Sequence, residues 1–190
     1  MVEKVRCQWP GNNELMTEYH DKEWGVSVHD DRKLFELLIL EGAQAGLSWQ
    51  TVLNKRENYR KAFDNFDYEK ISHYTQNKIK ELLNNAGIIR NKLKINATII
   101  NAHKFMEVQK EFGSFDKYIW QFVNYKTKKN KFEKLLDIPA ITLESDKMSK
   151  DLKERGFKFV GSTICYAFMQ SIGMVNDHSV HCFRYNNKTQ

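Results

Sequence analysis

The chain has 190 residues, 41% of them hydrophobic, which is enough for one domain with a sizeable core and excludes wholesale disorder. It contains no run of apolar residues long enough to cross a membrane, and its start, MVEKVRCQWP, is too charged for a signal peptide. We therefore expect a cytoplasmic, bacterial-type intracellular protein with reduced thiols and no membrane partner. The formal net charge of +6 suits an anionic partner such as DNA but does not identify one.

Segments with helical periodicity dominate, and no clear alternating strand is present, so the sequence predicts an all-α fold. Three segments begin at residues that can cap a helix: Asn12 or Asn13 for a helix ending near His20, Asp30 or Asp31 for DDRKLFELLILEGAQAG, and Ser48 for SWQTVLNKRENYRKAF. The second is apolar nearly all round and is expected at the centre of the core. Further helices are predicted at Gln76–Asn85, Asn91–Glu111, Phe115–Val123, Lys147–Arg155 and Ser162–Ile172.

The candidate metal ligands are two pairs of cysteine and histidine near opposite ends of the chain: Cys7 with His20, and His178 with Cys182. Two thiolates and two imidazoles make a closed tetrahedral shell that suits one structural zinc ion and leaves no position for a substrate. His178 and Cys182 are four residues apart and would share a face of a helix. The spacing is not that of a zinc finger, His181 competes with His178, and four unrelated residues would give the same pattern.

No composition change marks a clean domain boundary, so residues 1–190 are treated as a single unit. Segments of about 1–30 and 160–190 are expected to form a lobe, because the candidate metal ligands lie there, with a helical domain over about 31–159. Residues 125–141, YKTKKNKFEKLLDIPAI, are predicted to be a loop with a basic run.

Glu41 is the most informative carboxylate, because the residues one helical turn before and after it, Leu37 and Ala45, are apolar. A buried ionised carboxylate is costly unless a partner compensates it. In ordinary helix packing, a neighbouring amide or lysine would pair with the buried carboxylate. In a binding site, the ligand would pair with it.

Aromatic residues accompany Glu41. Trp49 follows it by about two helical turns, while Trp9, Tyr19 and Trp24 lie in the segment that holds two candidate metal ligands. If a metal ion fixes that segment, these side chains and Glu41 would form a pocket that stacks a flat ring and accepts hydrogen bonds from it. For any one of these aromatics, packing in the core explains its presence equally well.

Residues 82–92, LLNNAGIIRNK, join two predicted helices through a short turn. Gly87 is expected to take the left-handed conformation that ends the first helix. The second helix is expected to begin near Arg90, where exposed backbone N–H groups can hold a phosphate. Arg90, Lys92 and Lys94 add positive charge there, although an ordinary helix connection would contain the same residues.

In combination, these residues resemble the 3-methyladenine DNA glycosylase I family of the helix–hairpin–helix glycosylase superfamily. The matching blocks run in order along nearly the whole chain: CQWPG, YHDKEWGV, LFELLILEGAQAGLSWQTVLNKRENYRKAF, NAGIIRNKLKI, RGFKFVGSTICYAFMQSIGMVNDH and the closing Cys182. Their combination is far more specific than any one block. The resemblance implies a helix–hairpin–helix glycosylase-like fold, with that motif at about 76–104 and a terminal lobe held by zinc.

The resemblance also implies roles for individual residues. It places one structural Zn²⁺ on Cys7, His20, His178 and Cys182, which makes His181 a bystander. It places base binding on Trp9, Tyr19, Glu41 and Trp49, with Trp24 alongside, and gives the catalytic roles to Glu41 and Tyr19. The predicted DNA contacts are Gly46 and Leu47, near the abasic position, and Gly87, Arg90 and Lys92 of the hairpin. Met16 stands where some relatives carry a second pocket tyrosine.

The implied reaction is a step of base-excision repair on alkylated double-stranded DNA: water hydrolyses the bond between deoxyribose and 3-methyladenine, releasing the free base and leaving an uncut abasic site. Glu41 would accept hydrogen bonds from the adenine edge, Tyr19 would contact the base and Trp49 would stack on it. We expect a monofunctional, monomeric enzyme. The alternatives are a zinc-stabilised DNA-binding module without catalysis, which leaves Glu41 unexplained, and a zinc hydrolase, which needs an open metal position.

Overall fold

The structure is a computed structural model that describes residues 4–186. Helices dominate these residues, as predicted, with two very short strands between them. The helices are α1 (Glu14–Lys22), α2 (Asp31–Gln44), α3 (Trp49–Leu53), α4 (Arg56–Ala62), α5 (Tyr68–Ser72), α6 (Gln76–Asn84), α7 (Lys92–Phe112), α8 (Phe115–Trp120), α9 (Leu143–Glu154) and α10 (Ser162–Ser171). Single 3₁₀ turns occur at Asp64–Phe66, Gln121–Val123 and Leu135–Asp137, and the strands are β1 (Lys128–Lys129) and β2 (Val175–Asn176).

Three of the predicted helix caps are confirmed. The side chains of Asn13, Asp30 and Ser48 accept hydrogen bonds from backbone N–H groups in the first turns of α1, α2 and α3. Asp31, the other candidate at α2, has a different function: its carboxylate accepts from the backbone N–H groups of Phe115 and Asp116, each at 2.9 Å. Asp31 therefore ties the start of α2 to the start of α8.

Several predicted boundaries are wrong. The single helix expected after Ser48 is two helices, because the backbone at Lys55 (φ −103°, ψ −2°) leaves the regular helical range. The helix predicted from Lys147 begins four residues earlier, where Thr142 and Ser145 form a reciprocal cap. The segment 125–141 is mostly irregular, as expected, but it contains β1 and a 3₁₀ turn.

The hairpin between α6 and α7 also differs from the prediction. Gly87 is not in the left-handed region; α6 ends at Asn84, and Asn85 is extended (φ −80°, ψ 105°). Space at position 87 is tight instead: a Cβ there would lie 3.0 Å from Asn85 Oδ1 and 3.1 Å from the Asn58 side chain. The next helix begins at Lys92 rather than Arg90, because Asn91 caps it.

The main core lies among α2, α7, α8, α9 and α10, where residues from both halves of the chain pack together. A smaller hydrophobic cluster forms beside it from Met16, Tyr19, Trp24 and Leu53, and Trp49 packs against both. Burial of the apolar side chains in these clusters is the main favourable contribution to folding. Between residues 4 and 186, no helix is both long and apolar enough to cross a membrane.

The N-terminal and C-terminal segments pack against one another. Gly25 N–H donates to the carbonyl of Gln170 at 3.0 Å, and Phe183 N–H donates to the carbonyl of Val5 at 2.9 Å. Gly173 permits this approach: its φ is +72°, and a Cβ would lie 2.5 Å from the backbone of Val26. β1 pairs with β2 in parallel, so the basic segment is also attached to this region.

Candidate active site

A cavity of about 280 Å³ opens where α1, α2, α10 and the basic segment meet. Its lining is mainly aromatic and apolar, with a few polar groups: Trp9, Tyr19, Trp24, Glu41, Gln44, Trp49, Leu135, Ile138, Ala167 and Gln170. The structure thus brings all five predicted base-binding residues to one cavity. Its size and composition are those of a small-molecule site.

The aromatic walls are built from rings that contact one another. Trp9 lies edge-on to Trp24, with ring centroids 5.2 Å apart, and its centroid is 6.2 Å from that of Tyr19. Tyr19 in turn contacts Trp49 at 5.2 Å. Met16 does not line the cavity; it is buried in the small cluster behind Tyr19. The rings hold each other in place, so the walls are formed before any ligand arrives.

Glu41 is the unusual polar group in this cavity. Its side chain is 3% exposed, and burial raises its pKa to about 8, with nearby Ser171 opposing the shift. Its Oε2 has no hydrogen-bond partner among residues 4–186, and neither have the indole nitrogens of Trp9 and Trp49. Buried polar atoms are nearly always satisfied in native proteins. Three such atoms on side chains lining one cavity indicate a place for a polar ligand or for water.

Tyr19 lines the same cavity and is almost fully buried. Its pKa is raised well above its usual range, mainly by burial and then by the charges of Glu41 and Glu23. Glu23 is itself held by a bidentate ion pair with Arg56, at 2.7 and 2.8 Å. Tyr19 therefore keeps its phenolic proton at neutral pH and presents a neutral polar group.

Next to the aromatic walls, three candidate ligands come together. One ligand atom from each of Cys7, His20 and Cys182 lies within 4.8 Å of the others, and the Cys182 Sγ is 3.5 Å from His20 Nε2. Backbone N–H groups of Ser179 and Arg184 point at the two sulfur atoms, each at 3.4 Å. This group could hold one metal ion.

His178 lies beside this group but outside it. Its ring centroid is 5.0 Å from that of His20, and its Nε2 is buried without a hydrogen-bond partner among residues 4–186. Its Nδ1 contacts Asn176 Oδ1 at 3.0 Å, and His20 Nδ1 contacts Asp21 Oδ1 at 2.8 Å. In both histidines Nδ1 has a hydrogen-bond partner and Nε2 remains for a metal ion, the arrangement usual for metal-binding imidazoles.

Further contacts join the cluster to the cavity. Burial lowers the pKa of His178 to about 4, so its imidazole is neutral at pH 7. Its ring packs on Trp24 at 4.7 Å, and the His20 ring packs on Trp9 at 5.4 Å. His181, the competing candidate, is exposed. The position of the aromatic walls therefore depends directly on that of the cluster.

The predicted DNA contacts lie in two segments, the turn after α2 and the hairpin between α6 and α7. Leu47 is 42% exposed, at a tight turn where Gly46 has φ +78°. The hairpin side chains Arg90 and Lys92 are also exposed. Lys94 joins the two regions, because its ammonium donates to the carbonyls of Ala43 and Ala45, both at 2.7 Å.

Sequence reasoning missed half of the cavity: Gln44, Leu135, Ile138, Ala167 and Gln170. Gln44 could have been found, since it follows Glu41 by three residues and shares its helix face. Ala167 and Gln170 are related by the same spacing on α10. Leu135 and Ile138 stand in a lysine-rich segment whose path the sequence does not indicate.

A family model described as methyladenine glycosylase matches residues 9–185. The chain belongs to the methyladenine glycosylase family. This confirms the resemblance seen in the sequence. The match covers every residue that lines the cavity and all of the cysteine–histidine cluster except Cys7.

Similar proteins cover nearly the same length. DNA-3-methyladenine glycosylase 1 of Escherichia coli (strain K12) is 48% identical over 180 residues, which are 95% of this chain and 96% of that protein. A crystal structure of a 3-methyladenine DNA glycosylase I is 49% identical, with a TM-score of 0.92, covering 94% of this chain and 98% of the other. The Staphylococcus aureus 3-methyladenine DNA glycosylase I, studied for its recognition of 3-methyladenine, is 33% identical, with a TM-score of 0.93 and coverage of 96% and 97%. The fold of this chain is therefore the fold of these enzymes.

Proposed function

We propose that this chain is a monofunctional DNA-3-methyladenine glycosylase of base-excision repair, which hydrolyses the N-glycosidic bond of 3-methyladenine in alkylated double-stranded DNA. The observation that carries the proposal is the buried Glu41 carboxyl in an aromatic cavity, whose Oε2 has no hydrogen-bond partner among residues 4–186. A non-catalytic DNA-binding module has no use for such a group. The names of full-length relatives support the same activity.

Recognition begins when the damaged nucleotide leaves the duplex stack, which costs a few kcal/mol. Methylation at N3 makes the nucleoside base a cation, which favours the faces of electron-rich rings by about 0.5–2 kcal/mol per ring. Trp49 stacks on the base, while Trp9 and Trp24 enclose it. Glu41 ionises against the cation and accepts hydrogen bonds from the adenine edge, and Tyr19 contacts the base through its hydroxyl.

The chemical step is hydrolysis by water. The water oxygen bonds to the sugar C1′ and gives up a proton to solvent, and the C1′–N9 bond breaks with its electron pair moving to the base. The base leaves neutral, so its own positive charge supplies much of the driving force, and Glu41 and Tyr19 act by holding it in place. Among the described residues that line the cavity, none is a lysine that could attack the sugar. The product is therefore an uncut abasic site.

The residues beside the cavity would hold the proposed structural zinc ion. The donor set is two thiols and two imidazoles: Cys7, His20 and Cys182 would supply three ligands, and the orphaned Nε2 of His178 would supply the fourth. Four protein ligands close the coordination shell, so zinc here would contribute stability and not catalysis. It would join segments of about 1–30 and 160–190 into one lobe on a helical domain of about 31–159; residues 1–3 and 187–190 of these segments lie outside the described residues.

DNA binding is assigned to the surface beside the cavity. Leu47 is placed to fill the gap that the extruded base leaves, with Gly46 giving the turn close access to the DNA. The hairpin of the helix–hairpin–helix motif, at about 76–104, contacts the phosphates through Gly87, Arg90 and Lys92. We assign the activity to a monomer in the cytoplasm, acting on the chromosome.

Removing the hairpin charges should weaken binding in a salt-dependent way. Arg90→Ala and Lys92→Ala are each expected to lower the affinity for abasic-site DNA and to reduce the slope of log K against log salt by about 1, because each neutralises about one phosphate. Fluorescence anisotropy over a salt series measures both. Lys150→Ala, which removes an exposed lysine from α9, is the matched control and should keep the wild-type slope. Unchanged slopes in both hairpin variants would remove these residues from the interface.

The experiment that tests the function is release of free base from methylated DNA. We expect purified protein to liberate 3-methyladenine while leaving the strands unbroken until alkali is added. Binding without release would favour the non-catalytic alternative.

A further inference from the structure

Gln170 is a polar residue of the cavity that the proposed function leaves without a role. It lies in the last turn of α10, three residues after Ala167, which lines the cavity with it. Ser171, the next residue, contacts Glu41. α10 packs against α2, the helix that carries Glu41. Gln170 and Glu41 therefore approach the cavity from neighbouring helices.

Asp177 orients the amide of Gln170. Gln170 Nε2 donates to Asp177 Oδ2 at 2.8 Å. Asp177 is 1% exposed and accepts two further hydrogen bonds, from Tyr166 Oη at 2.6 Å and from Asn130 Nδ2 at 2.7 Å. Both carboxyl oxygens of Asp177 are therefore used as hydrogen-bond acceptors. The amide cannot turn round without placing its own oxygen against this carboxylate.

The amide oxygen of Gln170 is consequently directed away from Asp177. Within residues 4–186, the bond to Asp177 is the only side-chain hydrogen bond of Gln170. The cavity therefore contains two acceptors with free capacity, Gln170 Oε1 and Glu41 Oε2. Adenine carries an amine with two N–H donors at its six position, where guanine carries a carbonyl oxygen. A pair of acceptors can bond both hydrogens of the amine and repels the carbonyl.

We propose that Gln170 is a specificity-determining residue that accepts a hydrogen bond from the six-amino group of the extruded base. Asp177 is the positioning residue that fixes the direction of the Gln170 amide. This role rests on the proposed glycosylase function and deepens it, because it adds a second contact that separates methylated adenine from methylated guanine. Two acceptors discriminate against guanine more strongly than one. With guanine bound, its oxygen would face both acceptors, and both would remain buried and unpaired.

Gln170→Met tests the contact. Methionine keeps the length of the side chain but has no amide oxygen. On DNA containing both 3-methyladenine and 3-methylguanine, we expect the ratio of the two single-turnover excision rates to fall at least about 10-fold, because only the adenine contact is lost. Gln50→Met, at an exposed glutamine on α3, is the matched control and should keep the wild-type ratio.

Asp177→Asn tests the positioning. An asparagine can donate to Gln170 Oε1, so the amide can turn and present its NH₂ group to the cavity. The ratio should then move toward 3-methylguanine. Asp177 adjoins His178, so metal content and Tm are measured as well; the ratio, unlike the rate, does not change when part of the enzyme is unfolded.

Failure of the roles proposed for Gln170 and Asp177 can be told apart from failure of the proposed function. An unchanged ratio in Gln170→Met overturns the specificity role, and an unchanged ratio in Asp177→Asn overturns the positioning role. A wild-type protein that releases no 3-methyladenine would instead overturn the proposed function on which both rest.

Discussion

Glu41→Gln and Glu41→Ala are expected to lower the rate of 3-methyladenine excision by about 150-fold to 5,000-fold, while binding of abasic-site DNA stays near wild type. Both substitutions remove the one anionic group that faces the cationic base, and losing one partner of a buried charge pair costs about 3–5 kcal/mol. Abasic DNA has no base to place in the cavity, so its binding does not depend on Glu41. Single-turnover base release and anisotropy measure the two quantities.

Glu36 offers a matched control on the same helix. It is 7% exposed and forms an ion pair with Arg60 at 2.6 Å, away from the cavity. Glu36→Gln should therefore reduce stability while keeping excision near wild type when measured well below its Tm. Near-wild-type excision by both Glu41 variants would remove Glu41 from the reaction.

Because the pKa of Glu41 is raised, the activity and the stability of the wild-type protein should both depend on pH. The carboxyl is protonated in the empty cavity below about pH 8, so kcat/KM is expected to rise with pH through that value as Glu41 ionises; Tyr19, whose pKa is higher still, stays protonated. The effect on folding has the opposite sign: the native state binds the proton more tightly, so wild-type stability falls by a few kcal/mol as pH rises from about 4.5 to 8. Glu41→Gln should lack both trends.

Loss of the metal cluster should affect stability more than chemistry. Cys182→Ser and His178→Ala are each expected to lose bound zinc and to lower Tm by about 20–40 °C, since structural zinc sites contribute on the order of 10 kcal/mol and a 190-residue chain loses about 2–4 °C per kcal/mol. Intrinsic excision should persist well below the new Tm, because the cluster supports Trp9 and Trp24 without touching the base. Elemental analysis and calorimetry provide the readouts.

His181→Ala separates this account from a general effect of removing histidine. His181 is exposed and adjoins Cys182, yet it lies outside the cluster. This variant should keep both the metal and the wild-type Tm. A wild-type protein without zinc, or equal metal loss in the His178 and His181 variants, would contradict the proposed ligand set.

The sequence predicted the helical elements well, because their signals are local. Asn13, Asp30 and Ser48 are caps whose side chains bond within their own first turn, so they can be recognised without any knowledge of packing. The errors occur where contacts between distant parts of the chain determine the local structure. Asp31 bonds to the start of α8, and Gly87 lies close against the side chain of Asn58 without adopting a positive φ.

The same distinction applies to the site. Glu41 could be found because an acid in an apolar helix sector is unusual by itself. Leu135 and Ile138 could not, because their lysine-rich segment reaches the cavity through backbone pairing with a distant part of the chain, in the β1–β2 ladder and at Phe132 and Ser179. The role of Asp177 was also hidden, since its three donors come from α10 and the segment after β1. The cysteine–histidine pairs gave no clear spacing signal, and their meaning came from the family resemblance.

The most direct test of the account is release of free base from DNA methylated at the N3 position of adenine. We expect wild-type protein to release 3-methyladenine, identified by chromatography, from a substrate whose strands stay intact until alkali cleaves the abasic sites. Glu41→Gln, at equal concentration and with its metal retained, should release almost none. Tight DNA binding by a folded, metal-containing wild-type protein that releases no 3-methyladenine would contradict the account.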